Sequence, residues 1–259
     1  MTSYHGGKQR IGREIAGIIS DIAHYVEEER GYRFAGYCEP FCGMLGVYQH
    51  IPKEFEDHRK FTYKAGDANA SVIKMWQRAQ KGWKPPRKCT EAQYEKLKSS
   101  TTPSAERGFI GHACSFGGQY FKAFKNKHLH GLSTTQKDRR VAGQADRVTQ
   151  IASQMDCVKF SSGNYTQFSN LRNYIIYCDP PYYGAASYYF DENRKLRTFD
   201  HEKFWDWCRE MSRHNLIFLS GYNPVADFCL VWEARKKAFI TGSRNGLASG
   251  KEGLFVSVE

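Results

Sequence analysis

A short apolar segment that stops abruptly at two prolines constrains the fold of this chain more than any other feature. Residues Tyr174–Cys178 form a run rich in β-branched and aromatic side chains, and Asp179, Pro180 and Pro181 follow directly. Such a run favours a buried strand, and proline cannot continue a central strand because it lacks an amide donor. We therefore predict a strand that ends at Asp179, with a functional loop beginning where ligands bind in open α/β sheets.

Strand-like and helix-like segments alternate along the rest of the chain. Isoleucines recur at helical spacing through residues 11–30, and Gly31 ends that pattern. Alternating strands and helices indicate the α/β class. The other predicted elements are a strand running into a glycine turn at 34–43, helices at 148–155 and 199–214, a strand and polar loop at 216–223, and an edge strand at 253–259.

The charge balance predicts a polyanionic partner. The chain has a formal net charge of +11 and a pI near 9.2, and 41% of its residues are apolar. A basic surface concentrates phosphate-bearing ligands, although composition alone does not choose between nucleic acid and acidic lipid. No apolar run approaches the roughly 20 residues that cross a bilayer, and the N-terminus has no apolar signal core. We expect a soluble, cytoplasmic protein.

Most of that charge lies in one segment. Residues 81–147 contain 14 Lys and Arg residues against five Asp and Glu residues, which is a surplus of nine positive charges. Clustered basic residues interrupted by glycine, serine and threonine favour a nucleic-acid surface. The alternative interpretation is a solvated charged face with an irregular loop.

The eight cysteines are scattered, without a CxxC pair or a His/Cys cluster of zinc spacing. We expect reduced, mostly buried thiols and no metal. A metal site that combines Cys38 and Cys42 with a remote histidine is the alternative.

The tetrapeptide Asp179-Pro180-Pro181-Tyr182 predicts a specific chemistry. An exocyclic amine on a nucleobase is a poor nucleophile, because its lone pair is delocalised into the ring. The Asp179 carboxylate and the Pro180 carbonyl can both accept hydrogen bonds from such an amine, and the proline rings hold that carbonyl in place. Tyr182 offers an aromatic face on which a base taken out of the helix can stack.

With this motif, the chain resembles the Dam-type, or D12-class, DNA adenine-N6 methyltransferases. The order of its motifs is similar to the family from end to end, with Glu39–Gly43 resembling the cofactor loop and residues 252–254 the closing strand. The resemblance implies an α/β, Rossmann-like class I methyltransferase sheet with an inserted, mainly helical target-recognition lobe. It also implies S-adenosylmethionine as methyl donor and double-stranded DNA as substrate. Asp179, Pro180 and Tyr182 are then the expected catalytic residues.

The resemblance also implies a set of cofactor contacts. Glycine turns let a backbone approach a ligand, and an acid that follows the next strand suits ribose hydroxyls, so Asp67 is the expected ribose contact. The family often has a glycine where Leu45 stands, which leaves the shape of the cofactor loop open. The expected cofactor-binding residues are Tyr4, Lys8, Glu39, Phe41, Gly43, Asp67, Phe160 and Asp179.

We expect two domains, and the basic segment sets the boundary between them. Residues 1–80 and 148–259 form the catalytic domain, and residues 81–147 form the DNA target-recognition domain. Only a loose similarity to the family extends into residues 107–120, so the recognition sequence is not predicted. The expected DNA-binding residues are Arg107, His112, Ser115 and Gln119 for the bases, and Lys122, Lys125 and Lys127 for the phosphates.

Two other functions fit the same residues. The hydrogen bonds that activate adenine N6 would also activate cytosine N4 or an amine in RNA. A catalytically inactive DNA-binding module could retain the fold as a scaffold. The intact Asp-Pro-Pro-Tyr motif argues against the inactive module.

Overall fold

A mixed seven-stranded sheet organises the computed structural model, which describes residues 7–55, 61–125, 131–181, 188–190, 196–221, 227–235 and 251–257. The strands are β1 (Gly36–Glu39), β2 (Thr62–Asp67), β3 (Val158–Ser162), β4 (Tyr174–Cys178), β5 (Tyr188–Phe190), β6 (Leu196–Thr198), β7 (Leu216–Gly221), β8 (Phe228–Arg235) and β9 (Lys251–Ser257). The α-helices are α1 (Gly12–Arg30), α2 (Ile51–Glu54), α3 (Ala70–Gln80), α4 (Glu91–Ser99), α5 (Ala105–Ala113), α6 (Thr134–Ala152) and α7 (His201–Ser212).

The strand order is β3-β2-β1-β4-β7-β9-β8, and the separate pair β5-β6 is antiparallel. Strands β3, β2, β1, β4 and β7 are mutually parallel, whereas β9 is antiparallel to both of its neighbours. The chain leaves β1 towards β2 on one side and reaches β4 on the other side. The order therefore reverses between β1 and β4, where open α/β sheets bind ligands. This topology confirms the predicted α/β, Rossmann-like class of fold.

Helices cover both faces of the sheet. Alternate residues of one strand point to opposite faces, and Tyr37 and Ile175 belong to a different buried cluster from Cys38 and Ile176. The first face packs against α1, α3, α5 and α6, and the second packs against α7. Burial on both faces explains why β4 is apolar along its whole length.

Helix α1 lies where the isoleucine spacing predicts it. It runs from Gly12 to Arg30 and ends at Gly31, whose φ of 67° is left-handed. Ile15 and Ile19 are fully buried, and Ile11, Ile18 and Ile22 pack partly against the same core. None of the described helices is long and apolar enough to cross a membrane.

The end of the chain differs from the prediction of an edge strand. Strand β9 lies inside the sheet, between β7 and β8, and β8 forms the edge. Leu254 and Phe255, which point to opposite faces, are both buried. The position of β9 depends on strand pairing over long sequence distances, which an apolar run does not encode.

The basic segment folds into helices that pack on the helical layer of the seven-stranded sheet. Helix α5 crosses α3 so closely that a side chain on Gly108 would meet the carbonyl of Ser71. Helix α6 continues without a break through residue 147 to residue 152, so it contains both the expected boundary and the first part of the predicted helix at 148–155.

Candidate active site

The carboxyl ends of β1 and β4 place two acids side by side. Glu39 is the last residue of β1, and Asp179 follows the last residue of β4 directly. Strand alternation directs both towards the face covered by α1, together with Tyr37 and Tyr177. Glu39 is buried, whereas Asp179 keeps 19% of its side chain exposed. The exposed fraction leaves Asp179 accessible to a ligand above the sheet.

Lys8 joins Asp179 to a third acid. Its Nζ lies 2.5 Å from each oxygen of the Asp179 carboxylate and 3.0 Å from Oε1 of Glu252. Lys8 is 3% exposed and Glu252 is 1% exposed, so both charges are withdrawn from water. The sequence predicts Lys8 in the cofactor site; the structure places its ammonium group on the predicted catalytic carboxylate. The sequence interpretation did not assign a role to Glu252, although an acid inside an apolar strand is a recognisable signal.

Burial changes the ionisation of Glu39. Desolvation raises the pKa of Glu39 well above its ordinary value, and the nearby Asp179 charge raises it further. The Tyr37 hydroxyl donates a hydrogen bond of 2.7 Å to Oε1 of Glu39 and opposes this shift, as does the charge of Lys8. The floor of the site therefore combines an acid that resists ionisation with a hydroxyl that orients it.

The loop after β1 contains two residues with left-handed backbone conformations. Gly43 and Leu45 have φ values of 44° and 54°, which lie in the left-handed region. Leu45 therefore takes the conformation that a glycine would supply, and its side chain is completely buried. The amide of Cys42 donates to the carbonyl of Gly66, and the Trp76 indole donates to the carbonyl of Gly43. These bonds fix the loop to β2 and α3.

Asp67 fastens the same loop. Its Oδ2 accepts a hydrogen bond from the Gly43 amide at 3.0 Å, and its Oδ1 accepts one from the Asn69 amide at 2.8 Å. Desolvation raises the pKa of Asp67 to about 6, although the two amide donors favour the charged form. Asn69 caps α3 by accepting a hydrogen bond from the Ser71 amide. The predicted ribose ligand therefore also shapes the glycine loop.

The two predicted aromatic contacts lie in different surroundings. Phe41 is partly buried and packs with Tyr165, Phe199 and Phe204. Phe160 is 8% exposed and stacks on Trp76 in the main core, with ring centroids 6.2 Å apart. The expectation that Phe160 contacts the cofactor directly needs correction, because alternation along β3 turns its ring into the core. Of the catalytic and cofactor residues, Tyr4 and Tyr182 lie outside the described residues. Pro180 is buried.

Three residues expected to read DNA bases are buried instead. Arg107 is 1% exposed, donates to the Leu97 carbonyl and the Tyr120 hydroxyl, and lies over the ring of Phe121. Arg107 is thus part of the core that holds α4, α5 and the following turn together. Its placement corrects the prediction of a base contact.

His112 and Ser115 have the same structural role. The ring of His112 shares a 2.9 Å hydrogen bond with the Gly118 carbonyl, and desolvation lowers its pKa to about 4. Ser115 is fully buried and donates to the Gly111 carbonyl. Neither side chain presents a polar group to a groove of DNA, so these two predictions are also corrected.

The turn that follows α5 exposes side chains to solvent. Phe116 is 54% exposed and precedes Gly117, whose φ of 62° bends the chain outward. Lys122 is exposed, whereas Gln119 and Lys125 are partly buried. The turn is braced at its base, because the Phe116 amide donates to the Ala123 carbonyl and the Lys125 amide donates to the Cys114 carbonyl. Lys127 lies outside the described residues.

The residues that the structure describes contain no group of three or more His, Cys, Asp and Glu side chains that could hold a metal ion. Cys38 and Cys42 are separate buried thiols.

A family model identifies the enzyme class. Residues 118–227 match the D12 class N6 adenine-specific DNA methyltransferases. This part of the chain is therefore similar to that class of enzyme. The matched part begins at the exposed turn of the lobe and includes α6, β3, β4, Asp179 and β7. Lys8, Glu39 and Asp67 lie before the matched residues, and Glu252 lies after them.

A solved structure is weakly similar to the chain. The rRNA methyltransferase aviRa from Streptomyces viridochromogenes is 9% identical, with a TM-score of 0.37 over 95% of this chain and 84% of that chain. No curated protein gives a significant sequence match.

Proposed function

We propose that this methyltransferase uses S-adenosylmethionine to methylate N6 of adenine in duplex DNA, after the target base has left the helix. The observation that carries this proposal is the position of Asp179 and Pro180 at the carboxyl end of β4, beside the loop that follows β1. This is the switch point of the sheet, where a methyl donor and an amine acceptor can meet.

The residues present fit a nucleoside cofactor. Gly43 forms a left-handed turn without a side chain, and Asp67 offers a carboxylate for ribose hydroxyls at the end of β2. The glycine loop and Asp67 would hold S-adenosylmethionine, with Phe41 supplying apolar surface. Phe160 would support this pocket from behind, because it stacks on Trp76, whose indole holds the Gly43 carbonyl. The cofactor would supply an electrophilic methyl group on a sulfonium.

Asp179 and Pro180 prepare the acceptor amine. Two acceptors that bind both N6 protons favour a pyramidal nitrogen, which localises its lone pair for attack. Pro180 fixes its own φ, so its carbonyl is oriented before the base arrives. Tyr182 would stack on the extruded base, and this role follows from the motif alone.

The lobe would hold the duplex through its exposed turn. Phe116, Gln119 and Lys122 surround Gly117 and project from a hydrogen-bonded base, which suits contact with a groove and its phosphates. We assign phosphate contacts to Lys122, Lys125 and Lys127, and base contact to Gln119. Residues 81–147 would then act as the target-recognition domain through this turn rather than through Arg107, His112 and Ser115.

The test is transfer of labelled methyl groups from S-adenosylmethionine to duplex DNA, followed by mass spectrometry of the nucleosides. N6-methyladenine should form with the wild-type protein. Asp179→Ala should lower transfer by at least about 100-fold while duplex affinity changes little, because the carboxylate contacts the reacting amine and no phosphate. Asp206→Ala, which removes an exposed acid on α7, is the matched control and should remain active.

Three outcomes would contradict the proposal. Methylation confined to cytosine N4 or to an RNA substrate would replace adenine in DNA as the target. Retention of more than a few percent of activity by Asp179→Ala would remove that residue from catalysis. Duplex binding without any methyl transfer would leave a DNA-binding module.

A further inference from the structure

The Lys8 ammonium group lies between two carboxylates from different strands. It is 2.5 Å from both oxygens of Asp179 and 3.0 Å from Glu252 Oε1, and only 3% of Lys8 is exposed. A buried charge of this kind is stable only while it remains paired, because burying a lone ion costs on the order of several kcal/mol. Lys8 therefore needs a carboxylate partner in every state of the site.

The contact with Asp179 competes with the proposed reaction. Both oxygens that could accept a hydrogen bond from adenine N6 are already close to a positively charged donor. The ammonium group adds a charge–charge attraction that a neutral amine lacks, so Lys8 competes with the base for the lone pairs of Asp179. Withdrawal of Lys8 from one oxygen would free that oxygen for the amine.

Glu252 offers Lys8 a second partner within reach. Strand β9 holds Glu252 firmly, because it pairs with β7 through Gly253 and Leu254 and with β8 through Glu252 itself. Glu252 is 1% exposed and already touches the ammonium group. The third nearby acid, Glu39, accepts a hydrogen bond from the Tyr37 hydroxyl, and burial raises its pKa. Glu252, which already lies 3.0 Å from the ammonium group, is the acceptor to which the charge can move without leaving the site.

The backbone of Lys8 is fixed while its side chain can turn. Gly46 packs so tightly against Lys8 that an added Cβ would lie 2.9 Å from the Lys8 amide nitrogen. The Lys8 carbonyl also accepts a hydrogen bond from the Ile11 amide. Rotation of the side chain alone can shift the ammonium group from Asp179 towards Glu252.

We propose that Glu252 is a positioning residue that takes the Lys8 ammonium group from Asp179 when the target base enters. Lys8 protects the catalytic carboxylate in the absence of a base, and Glu252 keeps the lysine inside the site when the base displaces it. This inference rests on the proposed function, since it needs a base that binds Asp179.

A double-mutant cycle separates this role from a structural one. Glu252→Gln keeps the shape of the side chain and should lower kcat about tenfold, which is roughly the value of one charged hydrogen bond. The affinities for cofactor and duplex should remain unchanged. In a Lys8→Met background, Glu252→Gln should cause no further loss, because no ammonium group remains to be moved. Glu233→Gln, an exposed position on β8, is the matched control.

Equal losses in both backgrounds, or wild-type kcat in Glu252→Gln, would overturn the inference while leaving the proposed function intact. If the wild-type protein transfers no methyl group to adenine, the proposed function fails instead. In that case the contact between Lys8 and Glu252 can still be tested by a measurement that does not depend on activity.

Reductive methylation of lysines, read by mass spectrometry, reports where the Lys8 ammonium group is held. Lys8 should be protected in the wild-type protein and in Asp179→Ala, because Glu252 retains it. Lys8 should react in the double variant Asp179→Ala/Glu252→Gln at a rate at least about tenfold higher, in line with loss of a charged hydrogen bond. Exposed Lys122 supplies the reference rate in each sample. Reaction of Lys8 in Asp179→Ala as fast as in the double variant would show that Glu252 cannot hold it, and would overturn the inference.

Discussion

Prediction from the sequence succeeds better for the site at the strand ends than for the lobe. Glu39, Asp67 and Asp179 all lie at the carboxyl ends of strands, and the structure gathers them around one loop. In the lobe, Arg107 and His112 were selected for polarity inside a basic segment, and both are buried. A strand end fixes where a side chain lies, whereas the outward face of a helix depends on its neighbours. Local motifs therefore predict the first region better than the second.

Burial also has different consequences in the two regions. At the strand ends, burial raises the pKa values of Glu39 and Asp67, two carboxyl groups that line the site. In the lobe it lowers the pKa of His112, which keeps the ring neutral near pH 7 and suited to a structural hydrogen bond. Perturbed ionisation alone thus does not distinguish a functional residue from a structural one.

The largest effect expected from this comparison is the loss of stability in Arg107→Met. The change leaves the Leu97 carbonyl and the Tyr120 hydroxyl without their buried donor, and each should cost about 1–3 kcal/mol. Chemical denaturation should show this loss in the free energy of unfolding, whereas Lys122→Met should change it by less than about 0.5 kcal/mol. If the Arg107→Met protein were stable and methylated a different DNA sequence, Arg107 would be a base contact and not a structural residue.

A smaller effect is expected at Asp67, where folding and binding should depend on pH in opposite ways. The folded pKa of about 6 exceeds the ordinary value of 3.8, so protonation favours the folded state. This contribution to stability is present at low pH and is lost as pH rises through the folded pKa. Cofactor binding needs the carboxylate and should weaken as pH falls through about 6.

Calorimetry between pH 5 and pH 7 tests the binding half of this prediction. Wild-type affinity for S-adenosylmethionine should fall about tenfold towards the acid end, because one pKa unit corresponds to about 1.4 kcal/mol. Asp67→Asn should bind more weakly at pH 7 and should lose this pH dependence. The same pH dependence in Asp67→Asn would show that another group titrates.

The smallest effect is expected on the surface of the lobe. Lys122→Ala should reduce the slope of log affinity against log salt for duplex DNA by about 0.9, the value for one lost phosphate contact. Lys53→Ala removes an exposed lysine on α2 and should leave the slope unchanged. If both variants kept the wild-type slope, the phosphate surface would lie elsewhere and the contrast within the lobe would need revision.

Particular elements show how far prediction from the sequence extends. The isoleucine period and Gly31 predict α1 almost to the residue, because a helix with one buried face is a local pattern. Strand β8 was not predicted, and β9 was placed at the edge, because pairing joins residues far apart in the chain. Leu45 shows the same limit, since its left-handed backbone depends on the packing of the loop around it.

The sequence by itself determined the α/β class, the strand that ends at Asp179 and the adenine methyltransferase motif, because each depends on neighbouring residues and their stereochemistry. Only the tertiary structure decided which polar residues share a site. It brought Lys8 into contact with both Asp179 and Glu252, although Lys8 and Glu252 stand near opposite ends of the chain. It also turned Arg107, His112 and Ser115 inward, since a polar side chain can be buried once the fold supplies its hydrogen-bond partners.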